Sequence, residues 1–235
     1  MQRRTPGYAF QIISVTLLVI SFISQRGCGE DRVRDIDGNN YRTVRIGEQV
    51  WMAENLRTTR LKDGTPIDMV SGYEEWAALE APAYCWYNND STNGDTYGAL
   101  YNWYVVETDR LCPEGWHVPS DEEWNNMVSG IMDRNEVGGA LKEEGTTHWR
   151  SPNAGATNEF GFSALPGGYR SYLGTFNLLR ASAYWWSSTE VNWYGASGQA
   201  PSRVIFRSVQ HDNANLIRHI SEKTNGFSVR CVKNE

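Results

Sequence analysis

The chain has 235 residues, including 10 Trp, 12 Tyr and 22 Gly, and carries a net charge of −6. This composition, with few long apolar periodic runs, favours a loop-rich, twisted fold with an aromatic core over a helix bundle. Beyond the N-terminal segment no Lys/Arg cluster occurs that would bind phosphates, which argues against a nucleic-acid-binding protein.

Residues 1–27 have the pattern of an export signal, in which a basic start precedes the apolar run Ile12–Ile23. This run is shorter than the roughly 20 residues of a membrane-spanning helix, although an uncleaved anchor is the second alternative. Cys28 stands where a bacterial lipoprotein would be cleaved, so we expect either lipidation of Cys28 or ordinary cleavage nearby. Residues 28–34 are predicted to be a linker, and residues 35–235 a single domain. The expected location is the outer membrane or cell surface as a lipoprotein, alternatively the periplasm or the medium.

Turn signals divide the first part of the domain into short elements. Asp37-Gly38, followed by two Asn residues, predicts a hairpin turn, with strands at Tyr41–Ile46 and Gln49–Ala53 after it. Ser71–Leu79 has the 3–4 spacing of a short helix. Ala83–Tyr87 is predicted to be a strand.

Two segments follow that differ sharply in polarity. Asn88–Thr96 is predicted to be a polar loop, whereas Tyr97–Val106 is aromatic and suits either a strand or a buried helix. Within the loop, the carboxylates of Asp90 and Asp95 are weak candidates for Ca²⁺ ligands, because Ca²⁺ prefers hard oxygen donors. The alternative is a solvated turn without metal.

The middle of the chain contains a turn-rich approach to a helix. Ser120 is typical of an N-cap, and Glu123 three residues later completes a capping box. The helix is predicted to run to about Met132, with Trp124 and Met127 on its apolar face.

The second half alternates between loops and strands. Strands are predicted at Ala183–Thr189, Arg203–Val209 and Phe227–Val232, with a polar loop at Val191–Ser202. In Arg203–Val209 the residues alternate in polarity, which places Val204, Phe206 and Ser208 on one face.

Four cysteines allow three pairings if all of them pair, and leave one odd thiol if Cys28 is lipidated. We expect a disulfide between Cys112 and Cys231, since both lie beside bulky residues at the edges of predicted elements. Cys85 is expected to be a buried strand thiol.

Seven ordered segments resemble the Fibrobacter succinogenes major paralogous domain, a family of exported proteins and lipoproteins. They are Gln49–Leu56, Tyr84–Asp90, Tyr97–Tyr104, Cys112–Trp124, Phe160–Arg170, Trp185–Thr189 and Gly226–Lys233. The family is similar to C-type-lectin-like folds, which include the sulfatase-modifying factors. The resemblance implies an α+β, C-type-lectin-like fold: twisted antiparallel sheets, a few helices, long loops, and adjacent N- and C-terminal strands.

The functional expectation rests on aromatic residues in predicted loops of the second half. Trp149, Tyr172, Trp193 and Tyr194 are the candidate ligand-binding residues, because exposed aromatic rings stack on sugars and on partner side chains. The resemblance places the binding face in the same long loops. No catalytic cysteine pair or histidine-rich motif is evident, and no cofactor is expected. We therefore expect a non-catalytic binding module for a glycan or protein ligand; a structural or adhesive subunit and an enzyme of the sulfatase-modifying class are the alternatives.

Overall fold

The computed structural model describes residues 31–129, 136–192 and 202–235. The predicted signal, Cys28, Trp193 and Tyr194 lie outside these ranges. The architecture is mixed α+β, with several small sheets and short helices. Among the described residues, no helix is long and apolar enough to cross a membrane.

The first sheet joins the two ends of the domain. Its five strands lie in the order β1-β2-β3-β13-β7, and all pairs are antiparallel. These strands are β1 (Arg32–Arg34), β2 (Asn40–Ile46), β3 (Gln49–Met52), β7 (Trp116–His117) and β13 (Val232–Lys233). As predicted, the N- and C-terminal strands lie in one sheet, in which β13 pairs with β3 while β1 lies at the edge. Arg32–Arg34, assigned from the sequence to a linker, is a strand instead, because the turn before Asn40 folds it back onto β2.

The second sheet is antiparallel, in the order β10-β11-β12. Its strands are β10 (Ser182–Asn192), β11 (Ser202–Gln210) and β12 (Ile217–Ser221). The predicted strands at Ala183–Thr189 and Arg203–Val209 are confirmed, and both are longer than expected.

The other described strands form two smaller sheets. The sheet β4-β5-β6 pairs β4 with β5 in parallel and β5 with β6 antiparallel, while β8 and β9 form a separate antiparallel pair. These strands are β4 (Asp68–Met69), β5 (Ala83–Cys85), β6 (Leu100–Tyr101), β8 (Tyr169–Arg170) and β9 (Phe176–Asn177).

The helices are short and lie between strands. They are α1 (Tyr73–Ala77), α2 (Ser91–Tyr97), α3 (Trp103–Val106), α4 (Asp121–Val128) and α5 (Val137–Leu141), with a 3₁₀ turn at Tyr87–Asn89. The short helix predicted within Ser71–Leu79 is confirmed as α1. Helix α4 ends at Val128, before the predicted Met132, which lies outside the described residues.

The start of α4 is fixed by the predicted capping box. The Ser120 hydroxyl accepts from the Glu123 amide at 3.1 Å, and a Glu123 carboxylate oxygen accepts from the Ser120 amide at 2.7 Å. Close to this corner, Cys112 is bonded to Cys231, so the disulfide ties the approach to α4 to the last strand. Cys85 is a buried free thiol, as expected.

Aromatic side chains dominate the interior between the sheets. The Trp124 ring lies 4.8 Å from Trp51 and 6.0 Å from Trp185, measured between ring centroids. Trp185 and Trp186 are both buried although they are neighbours on β10, because the strand has core packing on each of its faces. This aromatic core agrees with the composition.

The predicted polar loop at Asn88–Thr96 is wrong, since most of it is the helix α2. The Asp90 side chain accepts from the Thr92 amide at 2.9 Å and thereby caps this helix. Gly94, inside α2, packs against Trp86, and a Cβ at Gly94 would lie 2.4 Å from the Trp86 ring. A polar sequence therefore forms a helix here because a cap and a tertiary contact stabilise it.

The ambiguous segment Tyr97–Val106 contains both structures, with β6 followed by α3. The strand predicted at Phe227–Val232 forms a ladder only in β13. Before it, the chain makes isolated bridges, Phe227 to Tyr101 and Ser228 to Trp185, and so links three parts of the fold.

Candidate functional site

An aromatic groove lies on one face of the second sheet, where the β8–β9 hairpin meets β10, β11 and β12. Its volume is about 390 Å³, within the range of small-molecule binding sites. The lining residues are Tyr169, Ser171, Tyr172, Tyr184, Phe206, Ser208, Gln210, His219, Ile220, Ser221, Asn225 and Phe227. They come from the β8–β9 hairpin, the three strands of the second sheet and the segment that follows β12.

Strand register explains why these side chains share a face. Tyr184 pairs with Ser208, and Phe206 pairs with His219, so three strands place aromatic and polar groups side by side. Within β11 the alternate residues Phe206, Ser208 and Gln210 point the same way. The face predicted from the alternation in β11 is thus part of the groove.

The base of the groove is a cluster of packed rings. Tyr184 stacks on Phe227 at 5.3 Å with an interplanar angle of 21°, and Tyr169 contacts Tyr184 at 4.8 Å. Phe206 lies 4.8 Å from Phe227 and stacks on the His219 ring at 5.5 Å. Such mutual packing leaves little freedom for the rings, so the surface they offer is formed in advance.

Tyr172 stands at the edge of this cluster on a rigid turn. Its side chain is 49% exposed, while its backbone amide donates to Asn225 Oδ1 at 2.7 Å. The turn is closed by Gly174 N–H donating to the Ser171 carbonyl at 2.8 Å. Gly174 has a φ of +84° and packs against the Tyr73 backbone, where a side chain would not fit.

Arg170 holds this turn from inside the protein. Its guanidinium is fully buried and donates to the carbonyl groups of Val70, Ser71, Gly72 and Gly174 at 2.6–2.9 Å. It also lies over the Trp76 ring at 4.4 Å. The cation therefore fixes the position of Tyr172 without touching the groove.

The groove is lined mainly by aromatic rings, hydroxyls and amides, together with the His219 imidazole. No Asp, Glu, Lys or Arg of the described part of the chain lines it. Burial raises the pKa of Tyr184, so its phenol remains protonated at neutral pH. The hydroxyls of Tyr169 and Tyr172 and the amide nitrogen of Gln210 make no hydrogen bond to any other described residue. These groups are available to a ligand.

The predicted ligand-binding residues separate into three cases. Tyr172 lies at the groove. Trp149 is fully buried, and its indole N–H donates to the Ala164 carbonyl at 2.9 Å, so the prediction of an exposed ring is wrong. The Lys142 ammonium, 5.4 Å from the ring centre, covers Trp149 as well. Trp193 and Tyr194 lie outside the described residues.

Both calcium candidates belong to helix α2, Asp90 as its N-cap and Asp95 inside it. Asp90 uses its carboxylate to cap α2 through the amide and hydroxyl of Thr92. Asp95 lies within α2, one helical turn further along. In the part of the chain that the structure describes, no group of three His, Cys, Asp or Glu residues is placed to hold a metal ion.

A second, more polar cleft of about 220 Å³ lies near the end of α2. Its lining residues are Arg42, Ala53, Glu54, Asn55, Arg57, Asp95, Thr96, Gly98, Glu143, Ser163, Leu165 and Arg230. Several of its charges are already paired within the protein. Glu54 accepts from Arg42 at 3.2 Å, and Glu143 lies 2.8 Å from His148. A ligand would have to compete with these contacts.

Asn55 lies at the inner end of this cleft and serves the scaffold. Its side-chain oxygen accepts from Trp185 at 2.9 Å and from Arg230 at 2.8 Å. Its amide nitrogen donates to the Tyr97 carbonyl at 2.7 Å. The same nitrogen also donates to the Ser228 hydroxyl at 3.2 Å. These four bonds use the amide fully, so Asn55 has a structural role.

Comparison with known proteins identifies the family of this chain. The model of the Fibrobacter succinogenes major domain matches residues 44–233, which is more than half of the chain. The chain belongs to this family. Searches among curated proteins and among solved structures find no match.

Several motif residues that suggested the family are buried and join different segments. Asn55, Trp185 and Arg230 come from three of the seven segments and form one hydrogen-bonded cluster. The Arg230 guanidinium donates to the carbonyls of Phe162 and Ser163. The family signature thus describes how the domain is held together.

Sequence reasoning missed most of the groove. Tyr184 and Phe206 lie in strands that the sequence predicts, but nothing in the local sequence marks them, His219 or Asn225 as ligand-binding residues. The sequence of β11 does contain a signal of the groove. Along one face of this strand the side chains change from apolar to polar toward Gln210. The groove residues on β12 and Asn225 are brought to that face by the pairing of β11 with β12, which the sequence does not show.

Proposed function

We propose that this chain is a non-catalytic binding module and that the aromatic groove holds its ligand. The observation that carries the proposal is the exposed Tyr172 on a rigid turn beside a packed set of rings. Rings fixed in advance reduce the entropy lost on binding, and an exposed ring beside unbonded polar groups provides both contact area and specificity.

The chemistry of the cysteines supports a binding role over that of a sulfatase-modifying enzyme. Such an enzyme needs two reactive thiols close together. Cys231 is bonded to Cys112, and burial raises the pKa of the Cys85 thiol to about 12, which disfavours the reactive thiolate. The thiols among the described residues are therefore suited to a structural role.

The proposed setting is the outside of a bacterial cell. The export pattern in residues 1–27 and the cysteine at position 28 support a surface lipoprotein, with a periplasmic or secreted protein as the alternative. We also propose a C-type-lectin-like arrangement, which is supported by the terminal strands in one sheet and by the groove lined by residues of the second half of the chain.

The test is a screen of the purified protein on a combined glycan and peptide array, with two variants. Tyr172→Ala removes the exposed ring at the groove. Tyr73→Ala is the matched control, since Tyr73 is similarly exposed, at 57%, but does not line the groove. We expect binding that Tyr172→Ala abolishes and Tyr73→Ala preserves. Equal binding by all three proteins would overturn the proposal.

A further inference from the structure

We infer that the groove takes a neutral oligosaccharide, with a sugar ring packed against Tyr172 and its hydroxyls bonded to polar groups of the sheet face. This inference rests on the proposed function and adds the chemical class of the ligand. Three features of the groove lead to it: its charge, the chemical groups on its surface, and its position and size.

The first feature is the absence of charge. Among the described residues, the lining has no carboxylate and no Lys or Arg side chain, and the chain as a whole carries −6. The nearby cations of the second sheet are engaged elsewhere, since Arg207 and Arg218 both bind Asp121. An acidic ligand would meet a negatively charged protein without a compensating partner, and a cationic ligand would find no counter-ion in the groove.

The second feature is the combination of rings with hydroxyl and amide groups. Sugars present apolar C–H faces and many hydroxyls, which match aromatic surface bordered by donors and acceptors. The Tyr172 ring provides exposed surface. The Tyr169 hydroxyl and the side-chain amide nitrogen of Gln210 have no hydrogen-bond partner among the described residues, while the Gln210 amide oxygen accepts from Asn213 at 3.3 Å. Ser208, next to them on the same face, adds a hydroxyl.

The third feature is where the groove lies. It is on the face of the sheet, so a ligand meets side chains and not the row of backbone groups at a strand edge that captures an extended peptide. A stable protein partner buries about 800 Å² on each side, whereas this concavity of about 390 Å³ has the size of a small-ligand site. A few sugar units suit it better than a folded partner.

The experiment measures affinities by calorimetry with the purified protein. The neutral probes are maltohexaose, cellohexaose and mannohexaose. A charge-matched comparison uses hexagalacturonate and its methyl ester, which share a backbone and differ in charge. The variants are Tyr172→Ala, Gln210→Ala and the control Tyr73→Ala, all at positions where loss of the side chain leaves the core intact.

We expect at least one neutral hexasaccharide to bind. Tyr172→Ala should weaken that binding about tenfold or more, as expected for loss of an aromatic contact. Gln210→Ala should weaken it about three- to tenfold, the range for one hydrogen bond. Tyr73→Ala should stay within about twofold. The methyl ester should bind more tightly than hexagalacturonate.

The possible failures separate the two levels of the proposal. If no neutral saccharide binds while a peptide binds in a Tyr172-dependent way, the binding module stands and the saccharide is wrong. Tighter binding of hexagalacturonate than of its ester would also overturn the ligand class. If Tyr172→Ala retains full affinity for every ligand, both the groove and the proposed function are wrong.

Discussion

The Cys112–Cys231 disulfide is expected to supply a large part of the stability of this domain. The two residues are 119 positions apart, so the bond restricts a long loop in the unfolded chain. The loop-entropy relation gives about 5 kcal/mol for a loop of this length. Since a domain has about 5–15 kcal/mol of stability in total, reduction should remove a third of it or more.

The assay is guanidinium unfolding followed by Trp fluorescence, for the oxidised wild type, the reduced wild type and a Cys112→Ala/Cys231→Ala variant. The reduced protein and the double variant should unfold at clearly lower denaturant concentration than the oxidised protein. The reductant should have no effect on the double variant, which controls for its action elsewhere. Identical midpoints for the oxidised and reduced wild type would refute the reasoning, as would alkylation of Cys112 without prior reduction.

Three further predictions concern the buried cation, an ion pair and a helix contact. Arg170→Lys keeps the charge but reaches fewer of the four carbonyls, so it should cost about 2 kcal/mol in chemical denaturation and weaken groove binding. The hydrogen bond to Glu123 at 2.6 Å raises the pKa of His117 above 6.5. This contribution is complete below pH 6.5 and is lost as the pH rises through the folded-state pKa, so His117→Gln should flatten the fall in melting temperature above pH 6.5. Gly94→Ala should destabilise by about 1–3 kcal/mol in spite of the better helix propensity of Ala, because its Cβ meets the Trp86 ring.

Each of these predictions has a control variant or a result that would contradict it. Glu123→Gln preserves the capping geometry but removes the charge, and it should flatten the same pH dependence. An unchanged pH slope in His117→Gln would contradict the ion-pair reasoning. The penalty of Gly94→Ala should shrink in a Trp86→Leu background, and equal penalties in both backgrounds would contradict the contact. If Arg170→Lys were as stable as the wild type, the bonds from the guanidinium to the four carbonyls would not contribute the expected stability.

Local motifs allowed correct prediction of several elements. Ser120 and Glu123 lie within one turn of each other, so their capping box depends on little besides the local chain. The turns around Gly38 and Gly47 likewise follow from short-range rules, and both have positive φ. The Cys112–Cys231 pairing spans most of the domain, and it was accessible because few cysteines compete for it.

Exposure and site composition could not be derived in this way. Trp149 lies between two predicted elements, but Ala164 and Lys142 close over it, and neither contact has a local signature. The groove depends on the register between β11 and β12, which places His219 opposite Phe206. Of the residues that line the groove, only Tyr172 is among the ligand-binding candidates that the sequence suggests.

The most direct test of the proposed binding site is amide chemical-shift mapping with the tightest neutral hexasaccharide of the calorimetric panel. We expect the largest shifts at Tyr172, Phe206 and Asn225, around the aromatic groove. Shifts centred on Arg42 and Asp95, in the polar cleft, would contradict the assignment of the ligand site to the groove.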